Sequence, residues 1–365
     1  MKAVTVVPAQ RVVEVRERPE PKPQSPTEVV LKMIRAGVCG TDREICRFEY
    51  GTPPPGSDEL VLGHESLAEV TVAGPAADGW RAGDLAVLIV RRPCEDPACD
   101  ACRAGRQDFC VTGKYVERGI KGADGFMAGT VVDDARWLVR VPKELRDVGV
   151  LVEPLTIAEK ALLEVNAMLD RMPWRRESVE GLSAVVLGAG PVGLLGAMAL
   201  RTAGCRVTMV SREPAADARG SLLEQIGGRY VSTENEPLGS ILPRLGRTDV
   251  VYEATGAAPP AFEALQALSP NGLFIFTGVP GQHGKPNVDG GALMRGLVLG
   301  NQVALGTVNA GRDAYEAAVT DLGRFMQRWP AAVRALITNH VPLADAPRAL
   351  TSPPQGIKTV VEIAG

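Results

Sequence analysis

Histidine is scarce in this chain: among 365 residues there are only His64, His283 and His340. Long apolar runs are missing as well, and none approaches the ~20 residues that a bilayer-spanning helix needs. Charge of either sign is not in excess. Forty basic and 43 acidic residues leave a net charge of −3, which argues against a nucleic-acid surface and gives no case for an anionic membrane. The first residues, "MKAVTVVPAQRVVEVRE", alternate like a strand and lack the apolar centre and cleavage site of a signal peptide. The expected compartment is therefore the cytoplasm. Seven cysteines are too few for a disulfide scaffold at this length, and clustered thiols in a reducing compartment more often bind metal. No repeat, coiled coil or low-complexity segment is present.

What is present falls into two styles. The first half holds short strand-like runs, "AVTVV", "TEVVLKMI", "AEVTVAG", "LAVLIV" and "WLVRV", separated by turn-rich pieces such as "GTPPPGSD". That spacing suggests a barrel or sandwich. Near Val150 the period changes: Leu155, Ala158, Leu162 and Val165 fall on one helical face. Beyond the polar connector "RMPWRRE", apolar strands "SAVVLG", "RVTMV", "DVVYEAT" and "GLFIFTG" alternate with helical segments, the pattern of a parallel sheet with crossover helices. The fold class is thus α/β, a β-rich domain joined to a doubly wound one.

"VVLGAGPVGLLGAMALRTAG" carries Gly188, Gly190 and Gly193 in the Gly-x-Gly-x-x-Gly pattern, between an apolar strand and an apolar helix. The bare pattern is weak; in this setting it reads as a dinucleotide site, with free N–H groups of the helix start facing a pyrophosphate. A tight turn without ligand is the alternative. At the end of the second strand stand Ser211 and Arg212, a hydroxyl and a guanidinium that suit a ribose 2′-phosphate. This predicts NADP, with NAD tolerated. Glu213 argues the other way, since an acidic residue there binds a 2′-hydroxyl.

"RRPCEDPACDACRAGRQDFC" puts Cys94, Cys99, Cys102 and Cys110 in one loop-like stretch. The grouping fits a closed four-thiolate zinc site, structural because no coordination position stays open. Disulfides are the alternative. Cys39, in "GVCGTDRE", reads as a core thiol, a redox thiol or a metal ligand until partners are found. His64, beside Glu65, and Glu153 are the candidates, since thiolate, imidazole and carboxylate all bind zinc. A core histidine and an N-terminal helix charge are the plainer readings of His64 and Glu153.

Taken in order, "GVCGTD", "GHE", the four-cysteine lobe and "GAGPVG" resemble the zinc-dependent medium-chain alcohol dehydrogenases, over nearly the whole chain. "CGTDREI", "GRQDFC", "GFM" after "ERGI", "EPLTIAEKAL" and "GTVN" are similar to the archaeal-type glucose 1-dehydrogenases of that family. The resemblance implies a GroES-like catalytic domain over 1–182, with a zinc lobe near 91–112. It implies a Rossmann domain over 183–308 and a return to the catalytic domain over 309–365.

It implies two zincs per chain. One is catalytic, with Cys39, His64, Glu65 and Glu153 in its environment; one is structural, on Cys94, Cys99, Cys102 and Cys110. Thr41, Glu117, Glu153 and Asn309 match sugar-contacting positions, and Thr41 and Glu65 are the candidates for moving protons. Cofactor contacts are implied for Gly188, Gly190, Pro191, Val192, Gly193 and Leu194, and for Ser211, Arg212 and Glu213. Thr277, Gly278 and Val279, with Thr307, Val308 and Asn309, complete that set. The implied reaction is oxidation of an aldose at C1 to its lactone by a homodimer or homotetramer that binds neither nucleic acid nor membrane.

Three features depart from the pattern. Four residues separate Cys94 from Cys99 instead of two, Gly300 stands where a histidine is usual, and Val90 where some relatives have asparagine. The last two keep open a dehydrogenase of another polyol, cyclitol or secondary alcohol. A non-catalytic NADPH-binding protein is the reading of another class. Cys46, Cys205, His283 and His340 are expected to serve neither zinc.

Overall fold

A computed structural model describes residues 1–172, 179–281 and 286–363. The connector "RMPWRRE" lies largely, and His283 wholly, outside the described residues. The chain divides into two compact units: Met1–Thr156 with Asn309–Gly323 and Leu336–Gly365, and Ile157–Val308 with Arg324–Ala335. No helix among the described residues is long and apolar enough to cross a membrane.

The first unit is built on the alternating strands. Glu28–Gly37 is its central strand, paired antiparallel with Glu65–Ala73 on one side and Lys358–Glu362 on the other. Leu85–Leu88 and Leu138–Val141 extend the sheet beyond Glu65–Ala73, Ile337–Pro342 extends it beyond Lys358–Glu362, and Thr130–Asp134 also pairs with Glu28–Gly37. One face of these strands is apolar and closes over Val29, Leu31, Met33, Val70, Leu88 and Phe126. A small sheet pairs Arg91–Arg92 with Val116–Arg118, and the register sets Arg91 opposite Glu117. That pairing encloses the cysteine-rich stretch.

The second unit is a six-stranded parallel sheet. Its spatial order runs Arg229–Ser232, Arg206–Ser211, Ser183–Leu187, Val250–Glu253, Leu273–Phe276, Val303–Gly306. The chain starts in the middle, moves outward, then returns to fill the other side, which is the order of the dinucleotide-binding fold. The strands read as continuous apolar runs because helices such as Pro191–Thr202 and Ala258–Gln266 cover them.

Candidate active site and structural metal site

The first site begins where the central strand ends. Cys39 caps the helix Gly40–Cys46, and Asp42, in the first turn, accepts the Cys39 N–H at 2.9 Å. The other Asp42 oxygen lies 3.2 Å from His64 Nδ1, with both side chains buried. An imidazole that gives Nδ1–H to a carboxylate keeps its Nε2 lone pair for a metal. Burial opposes a charge on His64, but Asp42 outweighs it, so in the absence of metal its pKa is raised well above the ordinary value.

Ligand atoms of Cys39, His64 and Glu65 all lie within 4.8 Å of one another. Soft sulfur, imidazole nitrogen and carboxylate oxygen at this separation fit a zinc ion that keeps a coordination position open. Glu65 starts its strand opposite Gly37, and any Cβ on Gly37 would run into the Glu65 carboxylate. Glycine is thus required in "AGVCG" to make room for a ligand. Glu153 stands outside this trio, in the first turn of the helix Val152–Leu169. Desolvation pushes its carboxyl up to about 7, Glu65 adds to the rise, and His64 and Lys358 oppose it. Thr41 is half-buried, and no hydrogen bond of its hydroxyl occurs among the described residues.

Lys358 is the residue that sequence reasoning missed here. It is 2% exposed, forms an ion pair with Glu65 Oε2, and donates to Val38 O at 3.0 Å. The only signal was a lysine set in the apolar run "IKTVVEI". Glu65 is therefore held by a cation at its carboxylate.

The four-cysteine stretch closes on itself. Cys99 and Cys110 sulfurs are 3.8 Å apart and Cys110 and Cys94 sulfurs 3.7 Å. Four thiolates about 2.3 Å from a zinc ion have S···S edges of about 3.8 Å, so the group has the dimensions of a zinc tetrahedron, while a disulfide would need about 2.05 Å. The longer spacing after Cys94 is taken up by a turn in which Asp96 accepts the Ala98 N–H at 3.0 Å and pairs with Lys114 at 2.9 Å. Burial raises the Cys110 thiol, yet hydrogen bonding led by Thr112 brings it down to about 6, while burial pushes Cys102 up to about 12. Cys46 and Cys205 are buried apart from this group, and burial pushes both up to about 12.

In the second unit, Gly188 adopts φ +96°, Gly190 caps the helix Pro191–Thr202, and a Cβ on Gly193 would strike Gly188 O. Ser211 Oγ accepts the Ala189 N–H at 3.2 Å and donates to Glu213 Oε2, so the glycine turn and the end of the second strand are tied together. Arg212 is 91% exposed, and its Nε lies 3.7 Å from Glu213 Oε1. Arg219 was not expected here: its Nε donates to Ala189 O at 3.1 Å, which brings a guanidinium to the glycine turn. Thr277 donates to Glu253 O at 2.6 Å, Val279 and Val308 are exposed, and Val308 O accepts from Lys160 at 3.1 Å.

Of the positions matched to sugar contacts in the first unit, Glu117 and Asn309 are in contact, with Asn309 Nδ2 donating to Glu117 Oε1 at 2.7 Å. Val90 is sealed in the core, and Gly300 ends a helix of the other unit. His340 pairs with Glu362 at 2.7 Å, away from either cysteine group.

Residues 25–143 match the alcohol dehydrogenase GroES-like domain, and residues 146–363 match the glucose dehydrogenase C-terminus. A glucose 1-dehydrogenase of Thermoproteus tenax is 41% identical over 100% of this chain and 99% of its own. Another, from Methanocella arvoryzae, is 35% identical over 100% and 99%. The Haloferax mediterranei glucose dehydrogenase, solved with NADP, Zn and gluconolactone, superposes with a TM-score of 0.89 at 33% identity, covering 100% of both chains. With both halves matched in order and the thiolate–imidazole–carboxylate trio in place, the chain belongs to the zinc-type medium-chain alcohol dehydrogenases, in their glucose dehydrogenase branch.

Proposed function

We propose that this protein oxidises an aldose at C1 to the lactone, with glucose as the first substrate to test and NADP as the preferred acceptor. The observation that carries the reading is the Cys39–His64–Glu65 trio within 4.8 Å, in a chain that matches glucose 1-dehydrogenases end to end. When bound, zinc supplies Lewis acidity that lowers the pKa of a substrate hydroxyl, and the nicotinamide accepts the hydride.

The chain's own residues do the rest. Cys39 and His64 hold the metal, and Asp42 fixes the imidazole. Thr41 Oγ1 takes the hydroxyl proton as it gives its own to solvent water, since a hydroxyl both accepts and donates. Glu153, whose carboxyl burial pushes up to about 7 in the absence of metal, can take up or release a proton in the same surroundings. Glu65 stays near the metal under the restraint of Lys358. Cys94, Cys99, Cys102 and Cys110 hold a second zinc that shapes the lobe. The glycine turn receives the pyrophosphate, and Ser211, Arg212 and Arg219 favour a 2′-phosphate, with Glu213 leaving room for NAD.

A second reading, oxidation of another polyol, cyclitol or secondary alcohol, is favoured by one observation: Val90 is buried in the core and offers a sugar nothing. The exposed Met294, Val298 and Leu299 on one helix support a homodimer or homotetramer. Two zinc sites rich in free thiols suit the cytoplasm. The test is initial rate on the zinc-loaded protein with aldoses, polyols and cyclitols, using NADP and NAD in parallel. Turnover of glucose or an epimer with NADP is expected. Turnover only of a cyclitol or simple alcohol would move the substrate. No turnover with two zincs and NADPH bound would favour a binding role.

A further inference from the structure

Arg91 is a buried cation that the reaction described above does not use. It is 5% exposed and faces Glu117, which is 4% exposed, across paired strands. Its guanidinium is fixed on every side. Nε and Nη2 both donate to Glu117 Oε1 at 3.0 Å. Nη1 donates to Asp108 O at 3.2 Å, and the Tyr115 ring stacks on it with its centroid 3.8 Å away. Asn309 adds a third donor to the same Glu117 oxygen at 2.7 Å, while its own Oδ1 accepts the Ala310 N–H at 2.9 Å.

The donors converge on Oε1 alone. No hydrogen bond from the described residues reaches Glu117 Oε2. Three donors on one oxygen, two of them from a guanidinium, stop the carboxylate from rotating. Its second oxygen is then an acceptor with a set direction and no hydrogen-bond partner among the described residues.

We propose that Arg91 is a positioning residue that presents Glu117 Oε2 to one hydroxyl of a polyhydroxylated substrate, and so separates aldoses from simple alcohols. The inference rests on the aldose reading proposed above and on Glu117 being a substrate contact, as its match to a sugar-contacting position implies. An acceptor built for a hydroxyl rejects the analogue that lacks it, because the buried charge is left unmatched. Lysine would restore the charge at position 91 but not the two-pronged, stacked geometry.

The experiment compares native protein with Arg91→Lys and Arg91→Met, each zinc-loaded. Substrates are glucose, its single-deoxy analogues and 2-butanol, with NADP. Arg91→Lys is expected to raise KM for glucose roughly tenfold to a hundredfold, the range for a bond to a charged group, with a smaller change in kcat. One deoxy analogue, the one lacking the hydroxyl held by Glu117, should be handled equally by native and variant proteins. Adding Glu117→Gln to Arg91→Met should cost nothing more. KM for NADP and zinc content should stay at native values. An unchanged KM for glucose in Arg91→Lys, or an equal loss on every deoxy analogue, would overturn the inference and leave the aldose reading standing. No turnover of glucose or any epimer by the native protein would overturn both. Should Arg91→Met fail to fold, Arg91→Lys alone carries the comparison.

Discussion

Lys358 brings a positive charge into an apolar strand, and its partner Glu65 brings a negative one into the same core. Neither would be stable there alone. Lys358→Met should leave Glu65 buried without its cation, a loss of about 3–5 kcal/mol for a broken buried pair. Urea unfolding would register it, and an unchanged midpoint would mean that solvent already reaches Glu65. Thr41→Val tests a different role at the same scale. It removes a hydroxyl with little change of shape, so zinc content should stay at two per chain while kcat falls, on the order of a hundredfold for lost proton transfer. Normal turnover in that variant would take Thr41 out of the proton path. The two residues also differ in legibility. Thr41 stands next to Gly40 and Cys39 in a motif and was readable. Lys358, like Arg91, meets its partner only after strands pair, and a cation in a strand reads the same whether it faces water or a buried carboxylate.

Elements were easier to read than contacts between them. Alternation located the strands around Glu28–Gly37 and Glu65–Ala73, and the change of period located the helix Val152–Leu169. Period is a local property, so it survives without knowledge of partners. The two-residue strand Arg91–Arg92 is too short to show any period, and with it the Arg91–Glu117 pairing was hidden, although only 26 residues separate the two. Cysteine spacing did better, because sulfur count alone signals metal. The lobe's turn at Asp96 accommodates two extra residues without disturbing the sulfurs. Cys110→Ser should therefore empty that site alone. Metal analysis should fall from two zincs per chain to one, with the lobe becoming protease-sensitive. Retention of two zincs would show that three thiolates suffice.

At the scale of the whole molecule, one unit carries the candidate metal ligands and the other the nucleotide signature, and each has its own sheet. Val303–Gly306 forms the outer edge of the parallel sheet, and the helix before it exposes Val298 by 69% and Leu299 by 68%. An apolar face of that kind is normally covered. Val298→Asp should shift the protein to a smaller species in light scattering at equal concentration, and an unchanged mass would place the assembly contact elsewhere. The pairing of Lys358–Glu362 with Glu28–Gly37 bears on how the protein is made. A ribosome releases the six strands of the parallel sheet before it releases the strand that closes the first unit. During that interval Gly37 lacks one neighbour and Glu65 lacks Lys358. The nascent chain thus carries an open strand edge beside its candidate metal ligands, a stage at which chaperone protection and zinc supply would matter most.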